Sequence, residues 1–214
     1  MQLQNMDAPI ISVITVCYNV ASTIEKTMLS VLNQTYKNLE YIIIDGNSTD
    51  GTVDIIKKYA ERLTFWISEP DKGIYDAMNK GIVKATGKFL IFMNAGDQFL
   101  NEKVLSKCLP YFLQEIDVIS GIGYLSGQKW IPAKATDLSV AFFLKRSLNH
   151  QATFINRKLF QDNLYRTDLK IVGDSVFFFQ ALIMDNASYV DIPIEIALCE
   201  NRGLADKRKR HLQS

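Results

Sequence analysis

The sequence has few cysteines, almost no net charge and no long apolar segment. Its three cysteines, Cys17, Cys108 and Cys199, are far apart and form no CxxC pair. This spacing argues against a disulfide framework or a structural zinc site and favours a reducing compartment. Lys plus Arg number 24 and Asp plus Glu number 23, so nucleic acid is not expected as a partner. Because no window approaches the roughly 18 apolar residues of a membrane-spanning helix and residues 1–9 do not resemble a signal peptide, we expect a cytoplasmic protein.

Two common phosphate-binding motifs are also missing. The sequence has no GxxxxGK[ST], and its only GxG, at residues 121–123, lacks the third glycine and does not follow the first predicted strand. These absences disfavour P-loop NTPases and dinucleotide-dependent dehydrogenases.

The first half of the sequence alternates apolar strands with amphipathic helices. Residues 11–16 and 41–44 are nearly continuous apolar runs, typical of strands buried on both faces. Between them, Ser22 to Glu25 resembles a capping box that opens a helix ending near Gln34. Further strands are predicted at 64–68 and 88–93, and further helices at 53–59 and 74–85. Strands alternating with helices predict right-handed crossovers and an α/β, doubly wound, mostly parallel sheet.

The second half is less regular and predicts a smaller mixed region. Helices are expected at 102–113 and 174–184, a strand at 117–119 that leads into hairpin-like sequence up to Trp130, and shorter strands at 152–155, near Tyr189 and at 194–198. No linker divides the chain, so we predict one domain over 1–214, with a regular half at about 10–100 and a less regular half at about 101–214. The basic run at 207–210 is either a solvated tail or a contact for anionic lipid headgroups.

Polar residues follow each of the four predicted strands of the first half. In an open parallel sheet, ligands bind outside the carboxyl ends of the strands. A single Asp there is often only a turn or capping residue, and a single Tyr is often a packed surface aromatic rather than a platform for a base. Several carboxylates at one edge, however, favour a cation between protein and substrate phosphate. The residues concerned are Tyr18 and Asn19, then Asp45, then Asp71 and Lys72, then Asn94 and Asp97.

The strings at these strand ends resemble family 2 glycosyltransferases of the GT-A (Rossmann-like) fold. They are ISVITVCYN, SVLNQTY, YIIIDGNSTDGT, EPDKGIYDAMNKGIVKATG and FLIFMNAGD, which cover about residues 10–100. NHQATFINRKLF and KIVGDSVFFFQA resemble the acceptor-side segments of the bacterial branch that builds exopolysaccharides, capsules and lipopolysaccharide. The resemblance implies an inverting transfer of sugar from a UDP- or GDP-sugar to a glycan or lipid-linked acceptor, in the cytoplasm or peripherally on the inner face of the membrane. It makes residues 10–100 the nucleotide-sugar-binding half of a single GT-A domain and residues 101–214 its acceptor-side half.

The resemblance also implies roles for individual donor-side residues. It places Tyr18 against the nucleotide base, with Thr15 and Asn19 in the same pocket and Asp45 close to base and ribose. Family members usually carry two acids at the end of the second strand, whereas here Gly46 follows Asp45. Asp71 and Lys72 would line the diphospho-sugar side.

The implied metal and catalytic residues lie further along the chain. The family's metal-binding turn carries three acids, and here only Asp97 remains, with Asn94 beside it, to hold Mg²⁺ or Mn²⁺. Asp174 is the expected catalytic base, with capping of the helix that follows as the alternative role. His150 and Gln151 are expected to contact the diphosphate or the acceptor.

Two other functions are compatible with parts of this pattern. A nucleotidyltransferase that makes sugar nucleotides also uses a doubly wound sheet, but it normally has a Gly-rich basic loop after the first strand, where this sequence has Cys17-Tyr18-Asn19-Val20. A catalytically inactive nucleotide-sugar-binding module would fit the reduced number of acids in the metal-binding turn.

Overall fold

Four apolar runs in the first half form parallel strands at one side of the sheet. The computed structural model describes residues 8–199, and the basic run at 207–210 lies outside them. The elements are β1 (Ile11–Cys17), α1 (Ile24–Leu32), β2 (Leu39–Asp45), α2 (Thr52–Lys58), β3 (Phe65–Ser68), α3 (Ile74–Lys84) and β4 (Phe89–Phe92). The strands pair in the order β3-β2-β1-β4, so the predicted doubly wound sheet is confirmed.

The second half continues the same sheet with mixed strand directions, as predicted. The elements are β5 (Gln98–Phe99), α4 (Val104–Phe112), β6 (Val118–Leu125), β7 (Gln128–Trp130), α5 (Val140–Lys145), β8 (Thr153–Asn156), α6 (Gly173–Phe179) and β9 (Tyr189–Cys199). From β4 the order runs β8-β6-β9-β5, and β7 forms a hairpin with β6. Strand β8 is antiparallel to both β4 and β6, whereas β9 is parallel to β6.

Two apolar cores lie on opposite faces of the sheet. Alternate residues of β1 point to each face, so Val13 packs with α1, α2 and α4, whereas Ile14 packs with α3 and α6. Burial on both faces explains why the parallel strands read as continuous apolar runs rather than alternating ones. No helix within residues 8–199 combines the length and the apolar character needed to cross a membrane.

The capping box predicted at Ser22 to Glu25 is wrong. Helix α1 begins as expected, but its N-cap residue Thr23 makes no capping hydrogen bond with its side chain. The Thr23 hydroxyl donates instead to the carbonyl of Val20 at 3.4 Å. Glu25 is also diverted, because its Oε1 accepts a hydrogen bond from the Tyr59 hydroxyl at 2.8 Å. A tertiary contact with the end of α2 therefore takes the place of the local motif.

The prediction of two separate strands near Tyr189 and at 194–198 is also wrong, because one strand, β9, spans both. Pro193 cannot donate a backbone hydrogen bond, and it lies exposed within β9. The register of β9 on β6 shifts between Ser120 and Gly123. This irregularity in the pairing accommodates Pro193 without ending the strand. The predicted helix at 174–184 is α6 followed by a π-helical turn, Gln180–Met184.

Candidate active site

The polar ends of the parallel strands meet at one edge of the sheet. The strand register places Cys17 beside Asp45 and Asp45 beside Ser68. The turn after β4 reaches the same place, since the Ala95 amide donates to the carbonyl of Val16 at 3.3 Å. We call this region, with the loops that follow β1 to β4, the donor edge.

Asp45 lies at the donor edge but is enclosed by the protein. Its side chain has no solvent exposure. Oδ1 accepts hydrogen bonds from the Ser48 hydroxyl at 2.5 Å and from the Cys17 thiol at 3.4 Å. Oδ2 accepts from the Ser48 amide at 2.9 Å and the Ser68 hydroxyl at 2.6 Å. A carboxylate has about four lone-pair sites, so these four partners saturate Asp45.

Thr15 also lies behind the surface of this edge. It is fully buried, and its hydroxyl donates to the carbonyl of Met93 at 2.7 Å while lying 3.0 Å from the Tyr41 hydroxyl. Thr15 can therefore shape the floor of a pocket but does not reach a ligand directly.

Tyr18 and Asn19 form the exposed loop after β1. Asn19 has φ 51°, a left-handed conformation that Asn tolerates better than most residues. Its amide donates to the Ser48 hydroxyl at 2.8 Å, and its Oδ1 accepts from the Thr49 amide at 2.9 Å. Asn19 thus fixes the loop, whereas the Tyr18 side chain is 62% exposed and presents its ring at the donor edge.

The turn from Asn94 to Asp97 closes on itself and is held by α1. The Asp97 amide donates to the Asn94 carbonyl at 2.8 Å. Gly96 has φ 105° and donates its amide to the Thr27 hydroxyl at 2.9 Å, so a helix residue outside the motif sets the turn. The Asp97 carboxylate accepts from the Gln151 side-chain amide at 3.1 Å. Two of the predicted site residues are therefore direct neighbours.

Asp174 is held between His150 and Tyr75. Its Oδ2 lies 2.9 Å from Nδ1 of His150, and its Oδ1 accepts from the Tyr75 hydroxyl at 3.0 Å. Tyr75 also contacts the carbonyl of Ile171 at 2.9 Å. Gly173 allows this packing, because a Cβ there would lie 2.8–2.9 Å from three atoms of the Tyr75 ring.

The same contacts determine the charge of this pair. Burial by itself raises the pKa of the Asp174 carboxyl, but the hydrogen bond and charge of His150 and the Tyr75 hydroxyl outweigh it and hold the pKa below its usual value. For His150, burial lowers the pKa, but Asp174 and the charge of Asp97 raise it overall. Asp174 does not serve as the N-cap of α6, which is Val172. The carboxylate is ionised and 15% exposed, as a proton acceptor must be.

The predicted residues on the acceptor side therefore join in one network. His150 Nε2 lies 3.3 Å from Nδ2 of Asn94, which links Asp174 to the turn that carries Asp97. The network and the donor edge together include residues that sequence reasoning missed. These residues are Thr27, Ser68 and Tyr75, which hydrogen-bond to Gly96, Asp45 and Asp174. Each lies more than 20 positions away from its partner, so the local sequence pattern does not indicate the contact.

Two solved structures that align closely with the fold are glycosyltransferases. Staphylococcus aureus TarS, residues 1–349 in complex with UDP, aligns with TM-score 0.75 and 19% identity over 89% of this chain and 60% of that one. The mannosyltransferase PcManGT of Pyrobaculum calidifontis, in complex with GDP-Man and Mn²⁺, aligns with TM-score 0.73 and 21% identity over 97% of this chain and 62% of that one. The fold is therefore that of the GT-A glycosyltransferases.

Sequence similarity identifies the family. Residues 12–187 match the model of Glycosyl transferase family 2, and the chain belongs to that family. A PGL/p-HBAD biosynthesis glycosyltransferase of Mycobacterium bovis is 34% identical over 161 residues, 72% of this chain and 62% of the relative. Bacillus subtilis TuaG, named for teichuronic acid biosynthesis, is 37% identical over 119 residues, 54% of this chain and 47% of the relative. The chain thus spans less than two thirds of both relatives.

Proposed function

We propose that the chain is an inverting glycosyltransferase that moves a sugar from a nucleoside diphosphate donor to an acceptor hydroxyl, with Asp174 as the base. The observation that carries this proposal is the position of Asp174. It is ionised, partly exposed, held at both oxygens, and linked through His150 to the turn that ends at Asp97.

In the proposed reaction, the Asp174 carboxylate accepts the proton of the acceptor hydroxyl. The acceptor oxygen then forms a bond to the anomeric carbon as the bond from that carbon to the diphosphate oxygen breaks. Attack on the face opposite the leaving group inverts the configuration. Tyr75 and His150 keep the carboxylate oriented, which is the main structural requirement for a general base.

The turn from Asn94 to Asp97 fits a divalent cation that also binds the donor diphosphate. Within residues 8–199 no three His, Cys, Asp or Glu side chains cluster as a metal site. The residues present would supply the Asp97 carboxylate and the Asn94 Oδ1, which is buried and has no hydrogen-bond partner in the described part of the chain. Mg²⁺ and Mn²⁺ prefer oxygen ligands, retain waters and take substrate phosphate oxygens. When bound, such an ion would neutralise charge on the leaving diphosphate.

The relatives support a role in surface polysaccharide or glycolipid assembly. Their names refer to teichuronic acid and to PGL/p-HBAD biosynthesis. A lipid-linked acceptor would bring the protein to the inner surface of the membrane. Two exposed apolar side chains suit such a surface, since Ile131 is 69% exposed and Leu144, on α5, is 82% exposed.

The function is tested by titrating the full chain with UDP- and GDP-sugars with and without Mn²⁺. We expect Mn²⁺-dependent donor binding and slow donor hydrolysis in the wild type, with the Mn²⁺ dependence lost in Asp97→Ala. Asp54→Ala, which removes an exposed acid on α2, should behave as the wild type. Binding without turnover and without a metal effect would indicate an inactive module. Consumption of nucleoside triphosphate and sugar phosphate would indicate a nucleotidyltransferase.

Tyr75→Phe removes the hydrogen bond that the Tyr75 hydroxyl donates to the Asp174 carboxylate. We expect kcat to fall about tenfold while the KM for the donor stays within about twofold. A hydrogen bond to a charged group is worth roughly 1.5–3 kcal/mol, and only part of this energy is lost when the carboxylate reorients. The chain offers a matched control, because the neighbouring Tyr165, with ring centroids 5.5 Å away, has a buried hydroxyl without a partner within residues 8–199. Steady-state kinetics of Tyr165→Phe should match the wild type. Equal losses in both variants would mean that the Tyr75 hydroxyl does not position Asp174.

A further inference from the structure

Gly46 leaves a space at the donor edge that the side chain of Asp71 fills. A Cβ on Gly46 would lie 2.4 Å from Oδ2 of Asp71 and 3.4 Å from Cδ2 of Tyr18. The backbone of Gly46 is fixed there, because its amide donates to the carbonyl of Cys17 at 2.9 Å. The Asp71 carboxylate and the Tyr18 ring therefore pack over the same point of the backbone.

Asp71 is held in this position and keeps one oxygen available. Its Oδ1 accepts a hydrogen bond from the Gly73 amide at 2.8 Å. Its Oδ2 receives no hydrogen bond from any residue between 8 and 199. Asp45, the other acid at this point of the edge, is saturated and without exposure. Of these two carboxylates, only Asp71 can accept a hydrogen bond from a ligand.

The surroundings of Asp71 indicate which part of a donor it meets. An ionised carboxylate only accepts hydrogen bonds, so it repels phosphate oxygens and attracts hydroxyl groups. The exposed ring of Tyr18 beside it is a surface on which a base can stack. The ribose of a nucleotide follows its base directly, and its vicinal 2′ and 3′ hydroxyls can donate two hydrogen bonds to one acid.

We propose that Asp71, with its carboxylate packed over Gly46, binds the ribose hydroxyls of the donor through its available Oδ2. This inference rests on the proposed function, because it assumes a nucleoside diphosphate donor. It differs from the role expected from sequence, in which Asp71 lined the diphospho-sugar. It also explains why residue 46 is a glycine, since any side chain there would displace the Asp71 carboxylate.

The test uses the full chain and isothermal titration calorimetry with two probes, UDP or GDP, whichever binds more tightly, and its 2′,3′-dideoxy counterpart. The wild type should bind the dideoxy probe about 10- to 100-fold more weakly, as expected for loss of charge-assisted hydrogen bonds. In Asp71→Ala, affinity for the ordinary nucleotide should fall by a similar factor, and the difference between the two probes should disappear.

Gly46→Ala provides an independent variant that leaves the acid in the sequence. Gly46 does not have a positive φ, and the nearest obstacle is the end of the Asp71 side chain, which can swing away, so the fold should tolerate Ala. We expect the same loss as in Asp71→Ala, and no further loss when the two changes are combined. Asp54→Asn serves as the surface-charge control and should retain wild-type affinities.

The outcomes separate this inference from the proposed function. Wild-type discrimination between the two probes that persists in Asp71→Ala would overturn the inference alone. Tighter nucleotide binding in Asp71→Ala would also overturn it, because it would place the acid beside phosphate. If the wild type binds neither UDP nor GDP, with or without Mn²⁺, both the proposed function and the inference fail.

Discussion

Asp174→Asn is expected to reduce sugar transfer by about 10²- to 10⁴-fold, the usual contribution of a general base, while donor affinity stays within about twofold. The amide keeps the size of the carboxylate and can still accept a hydrogen bond from Tyr75, so the packing around Gly173 is preserved. What it loses is the negatively charged, basic oxygen that takes the proton of the acceptor hydroxyl. Transfer under single-turnover conditions, together with calorimetric donor binding, measures the two effects separately.

The control for this variant is Asp168→Asn. Asp168 lies in the same segment, is 62% exposed, and pairs with Arg166 at 2.5 Å, so its removal changes local charge without touching the network. It should retain full activity. Transfer by Asp174→Asn at more than about a tenth of the wild-type rate would exclude Asp174 as the base, since general-base contributions are seldom below roughly 10²-fold.

The pH profile provides a second check on the same residue. The pKa of Asp174 is held below its ordinary value, so the carboxylate stays ionised as pH falls through the usual Asp range, near 3.9. The activity that depends on it should persist down to about pH 4 and be lost only below that, as the proton binds. An acid limb near pH 6 would indicate that another group sets the protonation state.

The parallel half of the fold could be predicted because short sequence patterns determine its strands and helices. Apolar runs of strand length, separated by helical spacing, determine both the element type and the edge where polar residues gather. Asn94 follows a predicted strand, whereas His150 and Asp174 are implied by the family resemblance. The structure links the three by hydrogen bonds, and their roles stay predictions. Tyr75 could not be found in this way, because its contact with Asp174 spans 99 positions and the residue reads simply as one more buried position of α3.

Burial of a polar side chain is the other property that the sequence did not reveal. Position at a strand end predicts that Asp45 reaches the donor edge, but not that Ser48 and Ser68 enclose it. The same limit applies to Asp71, whose placement depends on the absence of a side chain at Gly46. Both effects depend on contacts between separate loops, which local patterns do not encode.

Asp45→Ala should therefore behave as a folding defect. The change leaves the Ser48 amide and the hydroxyls of Ser48 and Ser68 without their acceptor. Both serines are half-buried, so each donor without a partner costs roughly 1 kcal/mol, the low end of the range for such groups. We expect the free energy of unfolding to fall by about 3 kcal/mol or more, and the Tm by roughly 6–12 °C for a chain of this size. Urea denaturation and thermal unfolding of the full chain measure both.

The comparison of Asp45→Ala with Asp71→Ala distinguishes the two acids. Asn19 and Ser48 are linked, so loss of Asp45 should also loosen the loop that presents Tyr18 and weaken donor binding as a secondary effect. Asp71→Ala should weaken binding with little change in Tm, because among residues 8–199 Asp71 accepts a single hydrogen bond, from the Gly73 amide. A stable Asp45→Ala that no longer binds the nucleotide would instead place Asp45 in contact with the donor, as the family resemblance implies. Comparing the loss of Tm with the loss of nucleotide affinity in each variant thus shows which carboxylate supports the loop that presents Tyr18 and which one binds the nucleotide.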